Sequence, residues 1–139
     1  MKKGGFTLIE LMVVIALIGI LSSVILASFS TVKERNRDAK RVSDIREIEK
    51  ALSLYQISNN RFPVPQDPSE EIILTGTDEI SELLENGGHI SAAPIDPQHP
   101  GTTYTYQTNS QGGTFILSFC LETNTIKSFA QGCGNTVEP

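Results

Sequence analysis

Basic residues are almost missing from the second half of this 139-residue chain. Residues 62–139 hold Lys127 alone against ten acids, a net charge of −9, whereas residues 30–61 hold eight Lys/Arg against five Asp/Glu, a net of +3. The acidic half is therefore a poor nucleic-acid binder, because neutralising phosphates requires Lys and Arg. Cysteine is scarce too: Cys120 and Cys133 are the only two. With no third cysteine and no histidine cluster, a thiolate or imidazole metal centre has no ligand set. His89 and His99 stand singly among turn residues and read as solvated side chains. Asp67 and Asp96, with nearby loop carbonyls, are the calcium candidates, but they lack the regular acidic spacing of a calcium loop. There is no Gly-x-Ser-x-Gly and no glycine loop to cradle a phosphate. The expectation is a non-enzyme without a cofactor or metal.

Proline is absent before Pro63, and charge is nearly absent from Phe6–Phe29, where Glu10 is the only charged residue among 24. As a helix this stretch would be about 36 Å long, enough to cross a hydrocarbon core of about 30 Å. A carboxylate near hydrocarbon is costly, normally faces a partner, and marks a functional position. Snorkelling of Glu10 to the headgroups is the plainer alternative. A cleaved secretory signal does not fit well, since its apolar core runs about 7–15 residues and would not carry an internal glutamate.

No Gly or Pro interrupts residues 20–62. Val42, Ile45, Ile48, Leu52 and Tyr55 recur at steps of three and four, which places them on one face of a helix. Arg46, Glu47 and Lys50 fall opposite, and Glu49 lies at the edge of the stripe. The apolar and amphipathic stretches are thus expected to form one rod from Thr7 to Ser58, about 78 Å long. It should end near Asn59-Asn60, with Pro63 as a stop. The basic segment Lys33–Arg41 has two readings: a surface touching lipid headgroups or DNA, or a solvated helix face with i,i+3 pairs Glu34–Arg37 and Asp38–Arg41. The second is preferred.

Phe62–Pro68 holds three prolines and reads as an extended exit. Ile80, Leu83 and Leu84 suggest a short helix, capped by Thr77 or Asp78 and closed by Asn86-Gly87-Gly88. Residues 92–101 read as a loop. Three strands are predicted: Thr102–Thr108, Thr114–Glu122 and Thr125–Ala130, with a turn at Asn109–Gly113. Alternation puts Phe115, Leu117, Phe119 and Leu121 on one face of the middle strand. Their natural partner is the Val42–Tyr55 stripe. The expected class is α+β, a long helix packed on a small antiparallel three-stranded sheet. One cysteine pair in a small loop-rich head favours a disulfide over two buried thiols, and so an oxidising compartment.

The run Lys2-Lys3-Gly4-Gly5-Phe6-Thr7-Leu8-Ile9-Glu10, leading into the apolar stretch, resembles the prepilin signature of type IV pilins and type II secretion pseudopilins. The likeness covers Lys2 to about Phe29, and more loosely the helix up to Pro63. It implies a leader of residues 1–5, cleavage between Gly5 and Phe6 by prepilin peptidase, and N-methylation of Phe6. It places Glu10 in the family's glutamate position, where it would pair with the amine of a neighbouring subunit and set alignment. Division follows the pilin-like pattern: residues 6–29 as the transmembrane half of the helix, 30–61 as its amphipathic half, and 62–139 as a small α+β head. One departure is the lack of a helix-bending proline within Phe6–Phe29; Gly19 is the only weak point there.

The implied partners are identical or related pilin subunits, the peptidase, an inner-membrane assembly platform and the lipid bilayer. In disulfide-bonded pilins a C-terminal bridge bounds an exposed variable region, which here would be residues 121–132. Orientation divides the rules. Five basic residues within Lys33–Arg41 against Lys2 and Lys3 would keep the head cytoplasmic. The cysteine pair and the family likeness instead put it outside a single-pass bacterial cytoplasmic membrane, with the filament in the periplasm or at the cell surface. The function implied is a structural subunit of a type IV pilus-like, secretion or competence filament. The alternative is a monomeric, membrane-anchored extracytoplasmic binding domain.

Overall fold

The computed structural model describes residues 5–139, without the side chains of residues 24–28. Most of the expected leader, residues 1–4, lies outside the described residues. Helix α1 spans Leu8–Asn59, 52 residues, followed by β1 (Ile72–Leu74), α2 (Glu79–Asn86), β2 (Tyr104–Thr108), β3 (Phe115–Leu121) and β4 (Gly132–Val137). The chain divides into two compact units, one ending at Glu34 and the other running Arg35–Pro139.

In the first unit every large apolar side chain from Leu8 to Leu21 is at least 44 % exposed, so this helix is apolar all round and has no core of its own. Among the described residues no helix is long and apolar enough to cross a membrane. The expected span, residues 6–29, includes 24–28, whose side chains lie outside the described residues.

The second unit is built on the α1 stripe. Val42, Ile45, Ile48, Ala51 and Leu52 are buried against Phe62, Leu74, Tyr104, Tyr106, Phe115, Leu117, Phe119 and Leu121. Each large apolar side chain so buried contributes about 1.5–3 kcal/mol. Tyr55, the last residue of the expected stripe, is half-buried, its ring edge-on to His89 at 5.4 Å between centroids. His89 is thus packed on an aromatic ring, whereas His99 is exposed.

The helix stops where the sequence says it should: Asn60 takes the left-handed conformation, φ 56°, with its N–H donating to the Gln56 carbonyl at 2.7 Å. Helix α2 is capped by Asp78, whose Oδ1 accepts the N–H groups of Ile80 (3.1 Å) and Ser81 (2.9 Å).

The sheet is an antiparallel meander of four strands in the order β1-β2-β3-β4, not three. Two differences from the expectation account for this. The three-residue strand β1 adds to β2 through Ile72↔Tyr106 and Leu74↔Tyr104. The final strand is Gly132–Val137 instead of Thr125–Ala130, pairing Leu117↔Val137 and Phe119↔Asn135. Residues 125–130 form a loop because Ile126 and Phe129 turn inward onto the core, Phe129 edge-on to Phe119 at 4.9 Å. The Asn135 amide pins the loop by accepting from the Ala130 N–H at 2.9 Å and donating to the Ala130 and Gly132 carbonyls. Gly112 in the β2–β3 turn has φ 66°. A Cβ there would lie 2.6 Å from the Phe62 carbonyl oxygen.

Candidate functional site

Two constellations carry the chemistry of the described residues, one in each unit. The first is at the head of α1. Thr7 donates its backbone N–H to Glu10 Oε2 at 2.8 Å and its hydroxyl to the same oxygen at 2.7 Å. In return the Glu10 N–H donates to Thr7 Oγ1 at 3.3 Å. This reciprocal arrangement is a capping box, satisfying helix N–H groups that lack an intrahelical partner. The spacing Thr7-x-x-Glu10 is the sequence signature of that box. Phe6, Ile9, Val13 and Val14 line a shallow groove beside the carboxylate. A Cβ at Gly5 would meet nothing within 4 Å, so packing in this chain does not account for a glycine there.

The second constellation corrects the reading of Lys33–Arg41 as a solvated face. Asp38 and Arg41 are 0 % exposed. Arg41 is the hub. Its Nε donates to Asp96 Oδ2 at 2.8 Å. Its Nη1 donates to Asp38 Oδ1 at 2.9 Å and Glu122 Oε1 at 2.7 Å. Its Nη2 donates to Gln98 Oε1 at 2.8 Å and Thr102 Oγ1 at 3.2 Å. Asp38 in turn accepts the backbone N–H groups of Glu122 and Thr123, both at 2.8 Å, and the Thr123 hydroxyl at 2.7 Å. Arg37 pairs with Glu122.

Among the described residues no buried side-chain nitrogen or oxygen lacks a partner. That completeness is what makes a buried charge cluster tolerable. Burial pushes the Asp38 carboxyl upward, but the Glu122 and Thr123 donors and Arg41 outweigh it and hold it below the usual aspartate range. Asp96 follows the same pattern, with burial overcome by Arg41, Thr102 and the Gln98 N–H. Glu122 is lowered first by Arg37. Arg41 is raised, its burial more than offset by Asp96 and Glu122.

Of the two calcium candidates, Asp96 is thus taken up by Arg41, and Asp67 accepts the N–H of Ser69 at 2.9 Å. Among the described residues no three His, Cys, Asp or Glu side chains converge as metal ligands would. Cys120 of β3 and Cys133 of β4 are joined in a disulfide, closing residues 121–132 into a loop.

Comparison with known proteins defines the class. Residues 1–26 match the prokaryotic N-terminal methylation motif, and residues 29–124 match the family model of type II secretion system (T2SS), protein G. A type II secretion system core protein G of Vibrio cholerae is 34 % identical over 113 residues, 81 % of this chain and 76 % of the relative. That of Escherichia coli K12 is 32 % identical over 117 residues, 84 % of this chain and 79 % of the relative. The Pseudomonas aeruginosa protein of the same name is 29 % identical over 117 residues, 84 % and 81 % of the two chains. No solved structure matches. The chain belongs to the type II secretion system protein G family and is a pseudopilin, a structural subunit of a pilus-like filament.

Proposed function

We propose that this pseudopilin is made with a five-residue leader, cut between Gly5 and Phe6 by prepilin peptidase, and N-methylated on Phe6. The apolar stretch from Phe6 to Phe29 anchors it in the cytoplasmic membrane, with the second unit outside. An assembly platform in that membrane then draws subunits out, and the same apolar surface passes from lipid contact to contact with identical or related helices. The observation that carries this reading is the run Leu8–Leu21, apolar on every side and unpartnered in the isolated chain, headed by a single carboxylate.

Glu10 is the alignment group. Both Thr7 bonds fall on Oε2, which leaves Oε1 for the methylated amine of a neighbouring copy. Pairing leaves neither charge alone in an apolar setting, and a slipped register strands both. The unconstrained glycine at position 5 suits a protease that needs a bare, extended approach to the scissile bond.

Mass spectrometry of the mature protein tests the first step: a chain starting at methylated Phe6 is expected, and one retaining residues 1–5 overturns the reading. Glu10→Ala tests the second. The variant is expected to be processed yet absent from sheared filaments, and wild-type filament yield from it would remove the alignment role.

A further inference from the structure

The capping box and the Arg41 cluster leave one helix face of the second unit without a partner. Arg46, Lys50, Leu54 and Ile57 recur along α1 at helical spacing, on the side opposite the buried stripe. All four are exposed, Ile57 to 76 %. Two like charges at i,i+4 disfavour a helix unless an anion answers them. Glu47 and Glu49 are close in sequence, yet among the described residues neither Arg46 nor Lys50 enters an ion pair.

Helix α2 shows the converse. Its outward face carries Glu82 and Leu83, the latter 40 % exposed, with the half-buried Glu79 at its edge accepting the Gln66 N–H at 3.1 Å, while Ile80 and Leu84 point into the core. No Lys or Arg occurs between Phe62 and Ile126 to answer those acids.

We propose that the α1 stripe Arg46, Lys50, Leu54 and Ile57 docks on Glu79, Glu82 and Leu83 of α2 in an adjacent copy. Cations meet anions and exposed aliphatics meet an exposed leucine. The stripe runs about 16 Å and Glu79–Leu83 about 6 Å, so the acidic patch covers part of the stripe. Each face lies opposite the buried stripe of its own helix, so the complement comes from a second molecule. Contact between two different patches is heterologous, and a heterologous contact whose rotation does not close builds an open helical polymer. The inference rests on the filament reading and names the outer contact that would fix one head against the next.

The test uses the full chain in cells that carry its assembly machinery, with filaments sheared and quantified. Lys50→Glu and Glu82→Lys are chosen because neither side chain forms a hydrogen bond or ion pair within the described residues. Each alone is expected to lower filament yield at least tenfold, and the two together to restore most of it. Unchanged yield in the single variants, or no recovery in the double exchange, overturns the docking. Loss in Lys50→Glu without rescue, accompanied by weaker binding to phosphatidylglycerol vesicles, would assign the stripe to lipid instead.

A second arm guards against misfolded variants. Lys50→Cys combined with Glu82→Cys is expected to give a ladder of covalent multimers in oxidised filaments, which neither single variant gives. Filaments without the ladder overturn the docking while leaving the filament function standing. Failure of the wild-type chain to form filaments would instead remove the filament function.

Discussion

Arg41 Nε donates to Asp96 Oδ2 at 2.8 Å across 55 residues of sequence, with both side chains fully buried. The pair ties the amphipathic half of α1 to the 96–102 loop, and Glu122 ties the same guanidinium to the end of β3. A charged hub of this kind is not needed to hold a small core together. Its weight falls on geometry, because five acceptor side chains from three segments must arrive in one arrangement to satisfy one fork.

Removing the hub should therefore hurt more than removing the charge of one acceptor. Arg41→Met is expected to cost about 3–5 kcal/mol, since it leaves the Asp38 and Asp96 carboxylates buried without their cation. Asp96→Asn, which keeps an acceptor beside Arg41 and leaves Asp38 and Glu122 on the guanidinium, is expected to lose much less. Chemical denaturation of the oxidised protein, with midpoints compared at equal slope, measures both.

Acid should unfold the second unit through the same cluster. Asp38, Asp96 and Glu122 have folded-state pKa values below their ordinary ones. A lowered carboxylate stabilises the fold above its unfolded value, about 3.9 for Asp and 4.3 for Glu. That stability is lost as pH falls from there through the lower folded value. Thermal midpoints are expected to stay flat from pH 7 to about 5 and to drop steeply below about 4. In Asp38→Asn the drop should be shallower from a lower plateau.

Reduction of the Cys120–Cys133 bond should destabilise the unit by about 3 kcal/mol, the chain-entropy figure for a short loop. Cys120→Ser with Cys133→Ser is expected to match the reduced wild type. Hydrogen exchange should localise the loss to residues 121–137, where the loop and β4 meet.

Gly112→Ala should destabilise by about 1–3 kcal/mol. The added methyl would meet the Phe62 carbonyl oxygen in a backbone already at φ 66°. Gly134→Ala is the control: a Cβ there meets nothing within 4 Å, so its midpoint is expected within about 0.5 kcal/mol of wild type.

Periodicity made the α1 stripe readable, because Val42, Ile45, Ile48 and Leu52 repeat long enough to fix one face. The Phe115–Leu121 alternation did the same for β3, and Asn60 and Asp78 advertised their helix ends through local chemistry. Strand β1 was missed because three residues cannot display alternation. Strand β4 was misplaced because Gly-Cys-Gly-Asn-Thr-Val has weak strand character, and its pairing comes from β3 and the disulfide. The Asp38–Arg41 pair forms as expected, but its burial has another cause. An i,i+3 acid–base pair looks the same in sequence whether it faces water or the interior, and what decides the matter here is Asp96 and Glu122, far along the chain. The prepilin-type features around Glu10 were legible from sequence, since they sit within ten consecutive residues.

The Arg41 hub also orders events in time. Asp38 and Arg41 leave the ribosome first, whereas Glu122 and Thr123, which complete their shell, emerge only after the intervening residues. The head cannot settle into its final form until that later segment has been translated. The apolar segment Leu8–Leu21 thus emerges well before any folded domain can exist beside it.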